Sequence, residues 1–150
     1  MIDALRRISL GMAALPMLLI GVSRADDDGY TEVPLDKVKA SVHAKKAILV
    51  DVRERREWDR GHIEGAVLVP LSKLVKWEEG GMADADRKEL AKVLPKGSIV
   101  YCHCARGGRA LSSADVLRRL GYEARPLRQG YSALIEAGFP KASKASKSAK

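Results

Sequence analysis

Apolar and polar positions change period several times along the chain, and each change marks an element. Leu35, Val38 and Val42 recur at helical spacing and predict a helix from Leu35 to about His43. Ala47-Ile48-Leu49-Val50 is a nearly continuous apolar run entering Asp51-Val52-Arg53, the pattern of a strand covered on both faces. Glu54 to Arg60 is a short charged helix or turn around Trp58, stopped by Gly61. Ala66 to Val69 is a second strand, ended by Pro70, and Leu71 to Glu79 a helix stopped by Gly80-Gly81. Ala83 to Leu94 is a helix with Ala83, Leu90, Ala91 and Leu94 on its apolar side. Pro95-Lys96-Gly97 is a turn into a third central strand, Ser98 to Cys102. Arg109 to Leu120 carries Leu111, Ala114, Leu117 and Leu120 on one face, with Gly121 placed to close it. Ala124 to Leu127 and Tyr131 to Ala137 read as a short strand and a short helix, and Thr31 to Val33 as a β-prone segment ended by Pro34.

Strands alternating with helices predict an α/β domain built on a mostly parallel sheet. Ligands of such sheets bind at the carboxyl ends of strands, which directs attention to the loop after Cys102. At 150 residues the chain has room for one such domain.

Two segments fall outside that pattern. Arg6-Arg7, the apolar run Ile8 to Val22, and Ser23-Arg24-Ala25 before Asp26-Asp27-Asp28 have the layout of a secretory signal peptide over residues 1–25. The run is shorter than the roughly 20 residues that span a bilayer, and it contains Pro16. Cleavage is therefore expected rather than a lasting membrane span, with a periplasmic or secreted product. At the other end, Lys141, Lys144, Lys147 and Lys150 sit in an Ala/Ser repeat that cannot build a core. Residues 141–150 are expected to be a solvated basic tail, leaving 26–140 as the domain.

Charge changes this picture little. Loss of residues 1–25 removes three arginines and one aspartate and takes the net charge from +8 to +6. The charge is spread thinly and aromatics are only 5% of residues, so stacking platforms for nucleic acid are poorly supplied and none is expected as a partner. Cys102 and Cys104 are two apart, and a bridge between them would restrain almost nothing in the unfolded chain. Chemistry is the better reading of the pair. The Cys102-His103-Cys104 trio lacks the further ligands of a closed zinc site, so neither a metal nor another cofactor is expected.

Cys104-Ala105-Arg106-Gly107-Gly108-Arg109 runs from a buried strand into a helix N-terminus. Loops of this kind turn successive N–H groups inward as an anion cradle, and the helix dipole reinforces them. A thiol at the centre has its reactive thiolate favoured. Cys104 starts the loop and is the nucleophile candidate, while Cys102, back on the strand, fits an inert buried thiol.

Cys104-x-x-Gly107-x-Arg109 in this setting resembles the active-site loop of the rhodanese family. Three further segments resemble the family in the same order: Thr31-Glu32-Val33; Leu49 to Glu54 with Glu57-Trp58 and Gly61-His62-Ile63; and Gly130 to Leu134 with Ala137-Gly138-Phe139-Pro140. Tyr131 departs mildly, since tryptophan is common there. The resemblance implies a three-layer α/β/α sandwich around a mostly parallel five-stranded sheet. It also implies a sulfurtransferase, in which Cys104 takes a sulfane sulfur from a small anionic donor such as thiosulfate and passes it as a persulfide to a thiol or cyanide. Ala105, Arg106, Gly107, Gly108 and Arg109 would bind the donor, with the loop amides holding the terminal sulfur and Arg109, and secondarily Arg106, steering the anion. Asp51 and Arg53 would be accessory at most, since in this fold they more often bridge neighbouring loops, and His62 reads as a loop histidine. His103-Cys104 also resembles the start of the His-Cys-x5-Arg loop of cysteine phosphatases. Only four residues separate Cys104 from Arg109, with Ala110 one further on, and the tighter ring suits one sulfur better than a phosphate. The alternative readings are a Cys102/Cys104 thiol–disulfide redox pair and a sulfur carrier.

Overall fold

The computed structural model describes residues 29–143. The predicted leader lies outside the described residues, as does the tail beyond Ser143. Among the described residues six helices and four strands follow in the order α1 (Leu35–His43), β1 (Ala47–Asp51), α2 (Arg55–Arg60), β2 (Val67–Leu68), α3 (Leu71–Gly80), α4 (Asp84–Val93), β3 (Ile99–His103), α5 (Gly108–Arg119), β4 (Glu123–Pro126) and α6 (Tyr131–Glu136). The sheet order is β2-β1-β3-β4 and every pairing is parallel.

The apolar runs of β1 and β3 occupy the two central positions, where both faces are covered. Alternate residues divide between two cores. Val50, Val100 and Cys102 meet Leu74, Trp77, Leu90, Ala114 and Leu117 from α3, α4 and α5. Leu49 and Tyr101 meet Val38 and Leu134 from α1 and α6 on the opposite face. Two layers of helix around one sheet make the expected α/β/α sandwich.

Two expectations change. Thr31–Val33 forms no ladder, so the described sheet has four strands rather than five. One backbone hydrogen bond, from the Thr31 N–H to the Pro126 carbonyl at 2.9 Å, lays the segment on the β4 edge before Pro34 turns it into α1. The segment expected to be solvated from 141 onward is held at its first residues. Lys141 bridges Ile63, and the Ala142 N–H donates to the His62 carbonyl at 2.9 Å.

Helix ends fix the two elements that matter most. In α2, Glu54 and Glu57 form a reciprocal capping box. In α5, the Tyr122 N–H donates to the Leu117 carbonyl and the Gly121 N–H to that of Arg118, a Schellman closure with Gly121 at its turn. In register, Asp51 stands beside His103, so the carboxyl ends of β1 and β3 deliver the Asp51–Arg53 and Cys104–Arg109 loops to one place.

Candidate active site

Cys104 is the first residue past β3 and is 1% exposed. Its Sγ accepts a hydrogen bond from the Gly107 N–H at 3.1 Å. Gly107 is also the residue that precedes α5, in the left-handed region at φ 97°. The first turn of α5 therefore starts where the thiol sits, with the positive end of the helix dipole directed at it.

A second segment holds this loop in shape. The Leu127 N–H donates to the Cys102 carbonyl and the Tyr131 N–H to the Cys104 carbonyl, both at 2.8 Å. Between them, a Cβ on Gly130 would stand 1.9 Å from the Ala105 carbonyl oxygen, and a Cβ on Gly107 2.5 Å from that of Arg128. Residues 127–131 thus press against 102–107 closely enough to require glycine on both sides.

Arg109 does not stand free. Its guanidinium makes a bidentate pair with Glu57, both contacts 2.7 Å. That contact, opposed by partial burial, holds the Glu57 carboxyl well below its ordinary range, at about 2, and raises Arg109. Cys104 adds a smaller effect on Arg109 in the same direction, which puts the thiol and the guanidinium within mutual reach. Arg106 is exposed on the loop. Gly108 is exposed and Ala105 half-buried.

Beneath the loop lies a buried ionic group. Arg53 pairs with Asp51 at 2.6 Å, donates to the Gly61 carbonyl at 2.8 Å and stacks 4.2 Å from the Tyr131 ring centroid. Arg53 thus ties together three loops. His103 is wholly buried, with Nε2 3.7 Å from Asp51. Burial lowers its pKa against the attraction of Asp51, and Arg53 adds to the lowering, so the ring is neutral. Cys102 is also wholly buried, which pushes its thiol up to about 12. His62 stacks flat on Trp58 at 3.7 Å and is occupied in that packing.

Cys104, Ala105, Arg106 and Gly107 form the loop after β3, and Gly108 and Arg109 open α5 directly behind it. Asp51 and Arg53 lie below it as a linked pair. Three contributors were not assigned roles from the sequence: Glu57, Gly130 and Tyr131. Glu57 acts across 52 residues of chain, and only the Arg109 geometry reveals it. Gly130 carried a signal, a glycine ahead of a helix, without an indication of what approaches it. Chemically, a thiol seated on an inward N–H at a helix start can attack an electrophilic sulfur and hold the resulting anion.

The Rhodanese-like domain family model matches residues 34–137. Two relatives carry provisional names. One is the adenylyltransferase/sulfurtransferase MoeZ of Mycobacterium tuberculosis, 35% identical over 78 residues, which cover 52% of this chain and 17% of that protein. The other is a mitochondrial thiosulfate sulfurtransferase of Schizosaccharomyces pombe, 33% identical over 86 residues, covering 53% of this chain and 56% of that protein. The chain therefore spans little more than half of one relative and a small part of the other. Among solved structures, a human single-domain sulfurtransferase superposes with a TM-score of 0.56 at 29% identity, over 69% of this chain and 94% of that one.

Proposed function

Since the chain belongs to the rhodanese-like domain family, we propose that it is a sulfurtransferase that moves a sulfane sulfur through a persulfide on Cys104. The observation that carries this reading is the Gly107 N–H directed at the Cys104 sulfur at the start of α5. The Cys104 thiolate attacks the outer sulfur of thiosulfate, forming one S–S bond. The S–S bond of the donor breaks and sulfite leaves with its electron pair. The terminal sulfur of the persulfide, an anion, is stabilised at this helix start, where the Gly107 N–H already faces Cys104, as an oxyanion hole stabilises oxygen. A second nucleophile, cyanide or a thiol, then takes that outer sulfur, and the Cys104 thiolate is regenerated.

Pairing of Arg109 with Glu57 redistributes the donor-binding roles. Arg109 fixes the first turn of α5 to α2 and lends its charge at short range. Arg106, exposed on the same loop, is the better placed group to meet an incoming dianion. Cys102 fits a silent thiol. It lies wholly buried on β3, and burial pushes its thiol up to about 12, so it stays protonated and unreactive at neutral pH. The leader pattern in residues 1–25 supports export to the periplasm or medium, testable from the N-terminal residue of the mature protein in cell fractions.

The test is intact mass after exposure to thiosulfate, with thiocyanate production measured for wild type, Cys104→Ser and Cys102→Ser. The expected result is a gain of one sulfur and turnover in wild type and Cys102→Ser, with both lost in Cys104→Ser. Turnover in Cys104→Ser would sink the proposal, and equal loss in both variants would point to the redox pair.

A further inference from the structure

Gly107 raises a question that its own chemistry does not answer. The close Arg128 carbonyl demands glycine there, yet glycine is the residue whose peptide is least fixed by its own sterics. An N–H that must keep pointing at the Cys104 sulfur needs walls from outside. One wall is the Arg128 carbonyl. The other comes from the far end of the domain: the Tyr30 hydroxyl lies 3.3 Å from where a Cβ would stand on Gly107.

Tyr30 is itself held from three directions. Its ring lies under the Arg128 guanidinium, 4.6 Å from the centroid. On one side, Gly29 packs toward Leu111 in the first turns of α5, with a would-be Cβ 3.2 Å from that side chain. On the other, the Thr31 N–H is bonded to Pro126 at the end of β4. The segment Gly29–Thr31 therefore crosses from α5 to β4 on the outer side of the Cys104 loop, leading into the β-prone Thr31–Val33.

We propose that Tyr30 is a positioning residue for the sulfur-loading step, acting through Gly107 to keep its N–H on the Cys104 sulfur. The inference rests on Cys104 being the reactive thiol, as in the proposed function. It assigns work to a segment that otherwise looks like a frayed sheet edge, and it makes the residues just ahead of α1 part of the active-site architecture.

The test uses Tyr30→Phe, which removes only the oxygen facing Gly107, and Tyr30→Ala, which removes the ring as well. Alkylation of Cys104 by iodoacetamide, a neutral reagent that arginines do not steer, is followed by mass spectrometry on protein shown to be folded by circular dichroism. Loss of part of one charge-assisted hydrogen bond predicts slowing of about 3-fold in Tyr30→Phe and about 10-fold in Tyr30→Ala. Thiosulfate turnover should fall in kcat by similar factors, with KM within about 2-fold because Tyr30 does not touch the donor. A purely structural role would lower the melting temperature and leave the alkylation rate of the folded protein unchanged. Unchanged or faster alkylation in Tyr30→Ala, or a loss confined to KM, overturns the proposal. If wild type fails to load sulfur while the alkylation differences appear, the proposed function falls, and what stands is that Tyr30 positions the Gly107 N–H on a reactive Cys104.

Discussion

Arg109 and Glu57, 52 residues apart in the chain, meet in a two-pronged ion pair with both contacts at 2.7 Å. Glu57 also accepts the Glu54 N–H in the capping box, so one carboxylate closes α2 and anchors the first turn of α5. The nucleophile loop lies between its strand and this anchor.

Replacing Glu57 with glutamine isolates the charge, because glutamine keeps the capping box. The pair is about one-third exposed (32% and 30%), so solvent screening limits its worth to about 1 kcal/mol at neutral pH. The Glu57 carboxyl is depressed in the folded state from its ordinary 4.5 to about 2. Its contribution is therefore complete above pH 4.5 and is lost as pH falls toward 2. Urea unfolding of wild type and Glu57→Gln should differ at pH 7 and converge near pH 2; a gap that persists in acid would refute the ion-pair origin.

Gly130 predicts a contrast among neighbouring glycines. Alanine there drives a methyl into the Ala105 carbonyl, with backbone on both sides and no flexible side chain to give way. Gly130→Ala should cost about 3 kcal/mol or more, or leave the Cys104 loop displaced and unable to load sulfur. Gly108, with nothing within 4 Å of its would-be Cβ, should accept alanine within about 1 kcal/mol. Thermal unfolding of the two variants side by side decides it.

That contrast also marks how far the sequence could be read. Periodicity placed Leu35–His43 and the α5 face, because a helix records in its own spacing which side it buries. The buried runs at Ala47–Val50 and Ser98–Cys102 announced central strands for the same reason, and a thiol between a strand and two glycines announced the loop. Glu57, Gly130 and Tyr30 act on that loop from other elements, and their roles exist only once the β1, β3 and β4 ends converge. Thr31–Val33 shows the reverse case: β-prone residues had local character for a strand, but Pro34 and the turn into α1 leave a single ladder-like bond to Pro126.

Cys102 should behave as a core residue. Iodoacetamide at pH 8 should leave it unmodified in the native protein and reach it only on unfolding, since burial holds it neutral with a pKa near 12. Stability that rests on the neutral thiol is complete below the ordinary value of 9.0 and drains away as pH rises toward 12. Cys102→Ala should cost about 1 kcal/mol through lost packing, retain sulfur loading, and flatten that alkaline decline relative to wild type. Rapid native labelling of Cys102 would show that the thiol is not sealed in the core.

His103 supplies the opposite pH signature from the position next to the nucleophile. Its ring is buried beside the Asp51–Arg53 pair, and the cost of burying its charged form outweighs the attraction of Asp51. In the unfolded chain the imidazole takes up a proton near its ordinary 6.5, whereas the folded protein resists it. The unfolded state thus binds more protons below pH 6.5, and stability falls as pH drops, with a slope of at most about 1.4 kcal/mol per pH unit. His103→Phe removes the titrating ring while leaving the Asp51–Arg53 pair in place, so its stability between pH 7 and 5 should lose that slope. Urea midpoints measured across this range for both proteins provide the comparison, and an identical decline in His103→Phe would assign the acid sensitivity elsewhere.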